Sequence, residues 1–170
     1  MAEKAGIFAQ VRTLGWPQPA GSPDRAVARL SLVPFQDLDV PWRFHLEVVA
    51  DPRLAVIPPM GNALLPEGRL LVNSPSPPRP ARSGPMVHSA DLSALTDRLG
   101  GPMGAALAAG AWAVLGAMEP GMPFELRFAE QALAARDKAS LQLARASFEA
   151  VKQACSTGRP GAASHPRGIA

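Results

Sequence analysis

Short apolar runs, separated by stretches rich in proline and glycine, occupy the first half of the chain. The runs have the length and the alternation that are typical of β-strands. The prolines between them predict irregular loops, because proline has no N–H to give to a strand or to a helix interior. The strands predicted in this way are residues 6–11, 25–33, 44–50, 69–72 and 86–88.

The stretch 63–75, with the sequence ALLPEGRLLVNSP, organises this half of the chain. Pro66-Glu67-Gly68 predicts a tight turn, and Asn73-Ser74-Pro75 predicts the end of a strand. The nearly continuous apolar run between them is typical of a strand that is buried on both faces in a parallel sheet. The first half therefore predicts a mostly parallel sheet built around this strand.

Apolar residues at helical spacing dominate the second half. Ser89 or Asp91 can cap a short helix that ends at Leu99, with Gly100-Gly101 as its stop. Three further helices are predicted at residues 104–118, 124–135 and 137–155. The first of these has no charged residue, so we expect it to be buried or pressed against a partner. Together with the parallel sheet predicted above, these helices indicate an α/β fold with a C-terminal helical region.

The length and composition of the chain predict its number of domains and its location in the cell. The chain has 170 residues, a length that suits one domain with a sizeable hydrophobic core, and its formal net charge is +3. We expect residues 1–155 to form a single α/β domain and 156–170 to form a disordered basic tail. No signal peptide opens the chain, and 103–118 is too short and too rich in Ala and Gly to span a bilayer, so we expect a cytoplasmic protein. No clustered basic stripe or aromatic platform is present, so nucleic-acid binding is not expected.

Few residues carry candidate chemistry. Cys155 is the single cysteine and there are three histidines, which excludes an intramolecular disulfide, a cysteine-ligated iron–sulfur cluster and a close-spaced zinc motif within this chain. His45 lies in an apolar run and is interpreted as a core or edge histidine. His88 lies at a predicted strand end, where α/β sheets place ligand-facing residues, although no catalytic partner can be assigned to it.

The remaining candidates have ordinary structural interpretations. Lys152 lies one turn before Cys155 and is expected to lower the pKa of that thiol slightly, but an incidental thiol is the simpler interpretation. Asn73-Ser74 can contact a ligand or simply end a strand. Gly100-Gly101 is interpreted as a helix stop, because the spacings of phosphate-binding loops are absent. A solvated helix face is expected at Asp137, Lys138 and Glu149. The sequence thus indicates no catalytic, cofactor-binding or metal site that is complete within this chain.

Several blocks of the chain occur in an order that resembles one known family. Residues 4–10, KAGIFAQ, resemble its EGKYAQ strand, and Leu14-Gly15 with 25–31, RAVARLS, resemble its FGPE and AxxRIS block. Residues 63–74 are similar to its LxPGGxxxxNS strand, 90–116 to its DATxxA and NxxxLGA helices, and 140–149 to its NLEALRAGYE. The family is the gamma subunit, or gamma domain, of the 2-oxoacid:ferredoxin oxidoreductases, which include the pyruvate and 2-oxoglutarate enzymes. The resemblance covers about residues 4–153.

The chain departs from the family pattern at groups that can hold a ligand. Members begin with a GRGGQG turn between a first strand and a first helix, and this chain is expected to start after both. The family's Arg-Gly-Gly corresponds to Pro19-Ala20-Gly21, and its Asn before the Gly-Ala pair falls near Ala105. Each of these groups is a backbone cradle, a cation or an amide that suits an anionic or polar ligand.

The resemblance implies a Rossmann-like α/β domain, without its first strand and Gly-rich turn, inside a multi-subunit enzyme. That enzyme oxidatively decarboxylates a 2-oxoacid to an acyl-CoA and passes electrons to ferredoxin or another acceptor. Thiamine diphosphate, Mg²⁺ and iron–sulfur clusters are expected in partner subunits, with none bound by this chain alone. The resemblance further implies a structural or assembly role near the CoA side, beside catalytic and iron–sulfur subunits.

Two other interpretations of the sequence stay open. The chain can be a stand-alone binding or scaffold module derived from that family, without catalytic activity. It can also be an incomplete gene product whose missing N-terminus carries the Gly-rich loop. As a hypothesis, helix 104–118 is the chief buried or docking element, and a charge at Ala108 or Ala109 is expected to disrupt assembly.

Overall fold

A computed structural model describes residues 1–2, 5–14, 25–35, 43–51, 64–76, 84–133 and 137–157. Loops are predicted at residues 14–24, 53–63 and 75–85. Most of their residues, with Pro19-Ala20-Gly21 among them, lie outside the described part of the chain. The described residues form five strands and four helices in the order β1 Phe8–Leu14, β2 Arg25–Ser31, β3 Phe44–Val49, β4 Leu64–Asn73, β5 Met86–Ala90, α1 Leu92–Leu99, α2 Met103–Met118, α3 Leu126–Leu133 and α4 Lys138–Thr157.

Strands β3, β4 and β5 form a parallel sheet with β4 in the middle. Leu71 lies in the main core with residues of α2 and α4, whereas Leu70 and Val72 belong to a separate buried cluster with Val49 and Leu64. Alternate residues of β4 are thus buried in different clusters, as the continuous apolar run predicted. The predicted α/β class, with a parallel sheet, flanking helices and a C-terminal helix, is confirmed.

The tight turn predicted at Pro66-Glu67-Gly68 lies inside β4, which begins at Leu64 and forms a bulge at this place. Phe44 pairs with Leu64 but Leu46 pairs with Arg69, so a surplus of β4 residues lies opposite a single residue of β3. The backbone folds tightly there, and a Cβ on Gly68 would lie 2.9 Å from the Leu65 carbonyl oxygen. Pro66 and Gly68 thus mark a local interruption of the hydrogen-bond ladder between β3 and β4. The chain does not reverse direction there, and β4 continues to Asn73.

The first two strands form a separate antiparallel ribbon, with Phe8 opposite Ser31 and Leu14 opposite Arg25. Both strands were predicted, but they lie outside the parallel sheet. Strand β2 ends at Ser31, two residues before its predicted end. The Ser31 hydroxyl accepts a hydrogen bond from the Val33 N–H at 3.1 Å, and this local turn competes with further strand pairing.

Helix α1 begins at the predicted cap Asp91, whose Oδ1 accepts a hydrogen bond from the Ala94 N–H at 2.9 Å. Ser89, the other predicted cap, instead donates its hydroxyl to the Ser74 carbonyl. The positive φ angles of Gly100 and Gly101, 74° and 91°, confirm the predicted helix stop.

Helix α2 is the centre of the helical layer and packs most extensively against α4. Its buried residues are Ala105, Ala106, Ala109, Gly110, Trp112, Ala113 and Val114. Helix α3 begins at Leu126 rather than at Phe124, because the Phe124 ring packs edge-on against the Trp112 indole with 4.8 Å between centroids. The indole N–H donates to the Glu125 carbonyl at 3.1 Å, which fixes the chain just before α3.

Helix α4 is capped by Asp137, whose carboxylate accepts hydrogen bonds from the N–H and the hydroxyl of Ser140 at 2.7 and 2.6 Å. The helical spacing of Leu141, Ala144, Phe148 and Val151 predicts one apolar stripe on this helix, and the last three of these residues are buried. The helix runs to Thr157, two residues into the predicted tail, and the rest of that tail, 158–170, lies outside the described residues.

Two glycines of α2 predict opposite responses to the introduction of a side chain. A Cβ at Gly110 would lie 3.1 Å from Val151 Cγ2 and 3.2 Å from Leu71 Cδ2, whereas one at Gly104 would meet nothing within 4 Å. We expect Gly104→Ala to raise the free energy of unfolding by about 0.5–1 kcal/mol through helix propensity. We expect Gly110→Val to lower it by about 1–3 kcal/mol through overpacking. Urea denaturation measures both, and equal effects at the two positions would contradict this packing.

Candidate functional site

Asn73 lies at the carboxyl edge of the parallel sheet, where α/β folds place ligand sites. Its side-chain Nδ2 donates to the Ala50 carbonyl and to the Ser93 hydroxyl, both at 2.9 Å. Its Oδ1 accepts from the N–H groups of Leu92 and Ser93 at 2.9 and 3.1 Å. The residue is buried, and these bonds use the main hydrogen-bonding capacity of its amide.

The Asn73 amide therefore joins the end of β3, the end of β4 and the first turn of α1. A carbonyl can only accept and a backbone N–H can only donate, so these partners fix the orientation of the amide. The N–H groups that it binds are among those that a helix N-terminus otherwise offers to an anion. Asn73 thus occupies with its own side chain the position that a ligand takes in many α/β folds.

The neighbouring hydroxyls are also used within the chain. The Ser74 hydroxyl donates to the Ser76 carbonyl at 2.8 Å, and the Ser89 hydroxyl donates to the Ser74 carbonyl. Of the two sequence interpretations of Asn73-Ser74, the structure supports strand termination, since Asn73 contacts its own chain throughout.

A second cluster of polar side chains lies between the sheet and α4. His88 is 1% exposed, and its Nε2 lies 3.5 Å from Nη1 of Arg69 on the neighbouring strand. Because an arginine can only donate, this long contact places the proton of the neutral imidazole on Nδ1. Nδ1 has no hydrogen-bond partner of standard geometry among the described residues. His88 therefore lies within β5 beneath α4, and not at a ligand-facing strand end as predicted.

The environment of His88 disfavours its charged form. Burial lowers the pKa of His88 below its usual value of 6.5, and the Arg69 guanidinium lowers it further. The nearby backbone of Ala154 opposes this shift in the pKa of His88. The imidazole is thus neutral near pH 7, and it is held in an apolar setting beside a cation.

Cys155 contributes a buried thiol to the same region of α4. Burial raises the pKa of the Cys155 thiol, and the Arg69 guanidinium opposes that rise. The sequence predicted a slight lowering of this pKa by Lys152, and the direction is wrong because desolvation outweighs the charges nearby. A thiol with a raised pKa is a weak nucleophile at neutral pH, which agrees with the interpretation of an incidental thiol.

The other sequence candidates lie apart from these clusters. His45 is exposed on edge strand β3, which agrees with its edge interpretation. Lys138 and Glu149 are exposed as predicted, but Asp137 caps α4 and is not simply part of a solvated face. The residues that sequence reasoning missed are Arg69 and Ser93. An arginine opening an apolar strand was the available signal for Arg69, whereas Ser93 carried none.

The described part of the chain holds neither a membrane-spanning helix nor a metal-binding cluster. No helix in it combines the length and the apolar character that crossing a membrane requires. Within the same residues, no group of three or more His, Cys, Asp or Glu side chains converges on a possible metal site.

The chain was compared with known proteins by sequence and by structure. No family model and no curated protein matches its sequence. Among solved structures it is similar to the gamma subunit of a keto/oxoacid ferredoxin oxidoreductase from Geobacter sulfurreducens PCA, with a TM-score of 0.58 and 17% sequence identity. The similarity covers 92% of this chain and 86% of that one.

The chain has the fold of that gamma subunit. The ordered sequence blocks predicted this fold, and the structural similarity confirms it over nearly the whole length of both chains.

Removing the Asn73 amide is expected to destabilise the fold. Asn73→Ala leaves the N–H groups of α1 and the Ala50 carbonyl without this partner, so we expect a loss of about 2–4 kcal/mol in the free energy of unfolding, at about 1–3 kcal/mol for each buried group. Ser74→Ala is the matched control, because its hydroxyl bonds only at the exposed surface. We expect the control to change stability by less than about 0.5 kcal/mol. A similar result for both variants in urea denaturation would show that Asn73 does not hold the edge together.

The buried imidazole predicts a dependence of stability on pH. The pKa of His88 is lowered in the folded state, so stability is complete above pH 6.5 and falls as pH drops below that value, where the unfolded chain takes up a proton that the folded chain does not. We expect His88→Gln to flatten the wild-type loss of stability between about pH 7 and 5. His45→Gln, at an exposed histidine, is expected to keep the wild-type slope. An unchanged slope in His88→Gln refutes this assignment.

Proposed function

We propose that this chain is a gamma-type subunit of a multi-subunit 2-oxoacid:acceptor oxidoreductase in the cytoplasm. The enzyme transfers the acyl group of a 2-oxoacid to the thiol of coenzyme A, releases the carboxyl group as CO₂ and passes an electron pair to ferredoxin or another acceptor. The role of this chain is structural: it packs against the catalytic subunits near the CoA side and supports their assembly.

The proposal rests on one observation, that the sequence blocks and the fold point to the same kind of subunit. The ordered sequence blocks resemble the gamma subunits of this family over residues 4–153, and the solved structure that shares the fold over 92% of this chain is a gamma subunit of a keto/oxoacid ferredoxin oxidoreductase. A fold alone does not define a function. Agreement between the order of the sequence blocks and the shared fold on the same kind of subunit is the support for this one.

The outward side of α2 supports a role among partners. The helix has no charged residue in its sixteen positions, yet Gly104 and Ala108, which lie one turn apart on the same side, are exposed. A helix at the surface of a monomer normally carries charged or polar residues on its outer face. An uncharged outer face with small side chains suits close contact with another subunit.

The polar clusters support a role without a reaction centre in this chain. The Asn73 amide is occupied within the fold, and His88 and Cys155 are buried. Thiamine diphosphate, Mg²⁺ and the iron–sulfur clusters accordingly belong to the catalytic and iron–sulfur subunits in this proposal.

Purification of the tagged chain from its native cells tests the proposal. We expect co-purification with larger, brown, iron-containing subunits and reduction of an acceptor dye that depends on both a 2-oxoacid and coenzyme A. An isolated, colourless monomer without this activity contradicts the proposal and favours the stand-alone module.

Two adjacent alanines of α2 separate assembly from folding. Ala108 is exposed and Ala109 is fully buried, so Ala108→Glu is expected to fold normally but to lower the yield of the complex, whereas Ala109→Glu is expected to unfold the chain. Gln142→Glu, at an exposed position of α4, is the control for added charge. Circular dichroism measures folding and the co-purified subunits measure assembly; a normal yield with Ala108→Glu contradicts a docking role for this face.

A further inference from the structure

Two polar side chains, Arg69 and His88, lie on the face of the parallel sheet that the helices cover. Leu71 and His88 are register partners on β4 and β5, and Leu71 lies in the main core with residues of α2 and α4. Side chains at paired positions of neighbouring strands lie on the same face of a sheet, so His88 also faces the helices. Arg69 precedes Leu71 by two residues and shares this face. His88 is therefore enclosed between the sheet and the helical layer, with the half-buried Arg69 beside it.

The end of α4 covers this pair. Helix α4 packs against β5, and the backbone of Ala154 lies close enough to His88 to affect its pKa. The charge of Arg69 also acts on the thiol of Cys155. We call residues 152–157 of α4 the terminal segment. Cys155 is the one buried residue of this segment, and it belongs to the main core.

The terminal segment has few attachments to the rest of the domain. The hydroxyls of Ser156 and Thr157 donate to carbonyls of the helix itself, and Lys152 and Gln153 are exposed. Segments with few buried contacts open at a lower free energy than the core does. We therefore expect the terminal segment to separate from the sheet while the rest of the fold stays intact.

The enclosed site suits a neutral imidazole and no other form. Nε2 of His88 lies 3.5 Å from Nη1 of Arg69, and an arginine nitrogen can only donate a hydrogen bond. A protonated imidazole would turn a second N–H toward this donor and add a positive charge beside the guanidinium. Nδ1 of His88 has no hydrogen-bond partner of standard geometry among the described residues that would offset this cost.

No negative charge of the elements packed on β5 compensates for a charged His88. Among the described elements, β5 packs chiefly against β4 and α4. Their titratable groups at this site are the Arg69 guanidinium and the Cys155 thiol, and burial raises the pKa of that thiol, so it is neutral near pH 7. The other charged side chains of β4 and α4 within the described residues are exposed. Protonation of His88 thus opposes the contact between the sheet and the end of α4.

We propose that the terminal segment of α4 is a pH-sensitive switch, in which uptake of a proton by His88 releases the segment from the sheet and exposes the Cys155 thiol. In the open form the imidazole is hydrated and binds a proton with its ordinary pKa of about 6.5. The pKa of His88 is lower in the closed form, so acid shifts the equilibrium toward the open form. The switch belongs to this chain alone and does not depend on the proposed function.

The reaction of Cys155 with a pyridyl disulfide tests the switch, because such reagents react with thiols at acid as well as neutral pH. The reference is Gln153→Cys in a Cys155→Ser chain, which places the thiol at an exposed position of the same segment. The ratio of the two rates removes the direct effect of pH on the thiol. We expect this ratio to rise roughly three- to eightfold from about pH 7 to about pH 5.5, where the upper value applies if the closed form takes up no proton. A ratio that does not rise overturns the proposal.

Variants of the pair provide the second arm of the test. His88→Gln is expected to abolish the rise, because the amide stays neutral at every pH and its oxygen can accept from Arg69. Arg69→Met is expected to reduce the rise, because the closed form then tolerates a protonated imidazole better. His45→Gln, at an exposed histidine, is the control that keeps the wild-type rise.

Two results separate the switch from general acid effects. Circular dichroism of the wild-type chain is expected to show the same helix content at about pH 7 and at about pH 5.5, and a loss of helix across the chain that parallels the rise overturns the proposal. An equal rise in wild type and in Arg69→Met overturns it as well, and this result is decisive even if His88→Gln does not fold.

Discussion

The close approach of α2 to β4 and α4 is the contact on which the rest of the structure depends. Gly110 lies where Leu71 of the central strand, Leu92 of α1 and Val151 of α4 meet, and even a Cβ there would lie 3.1–3.6 Å from these side chains. Small residues along α2 let the helix come this near, and dense packing then buries Leu71 and Val151 completely. The same closeness positions α4 over β5 and so encloses His88.

This packing also determines what the chain can offer to other molecules. The helix that begins at the carboxyl edge of the sheet is held by the Asn73 amide, and the polar atoms there bind one another. The ionisable groups beneath α4 are desolvated and held in weakly reactive forms. The exposed features are instead apolar: the uncharged outer side of α2, and the side chains of Phe8, Leu32 and Val33 at one end of the ribbon. Such surfaces suit a protein that works by contact with other subunits.

The sequence predicted the elements well because its signals are local. Proline and glycine mark the ends of strands, Asp91 marks a helix start, and the uncharged α2 marks a buried helix. Long-range geometry was harder to predict. Three features depend on strand register and tertiary packing: the bulge at Gly68, the separation of the ribbon from the sheet, and the contact of Arg69 with His88. The pattern of residues in one sequence does not determine register or packing. For the same reason the direction of the Cys155 pKa shift was wrong, since burial by distant residues outweighs a neighbour along the helix.

The central claim is that this 17.8 kDa chain works only as part of a larger assembly. Native mass spectrometry of the endogenous protein, purified under gentle conditions, measures this most directly. The account predicts a complex in which the chain is bound to several different and larger polypeptides. A free 17.8 kDa species that by itself turns over a 2-oxoacid would contradict it.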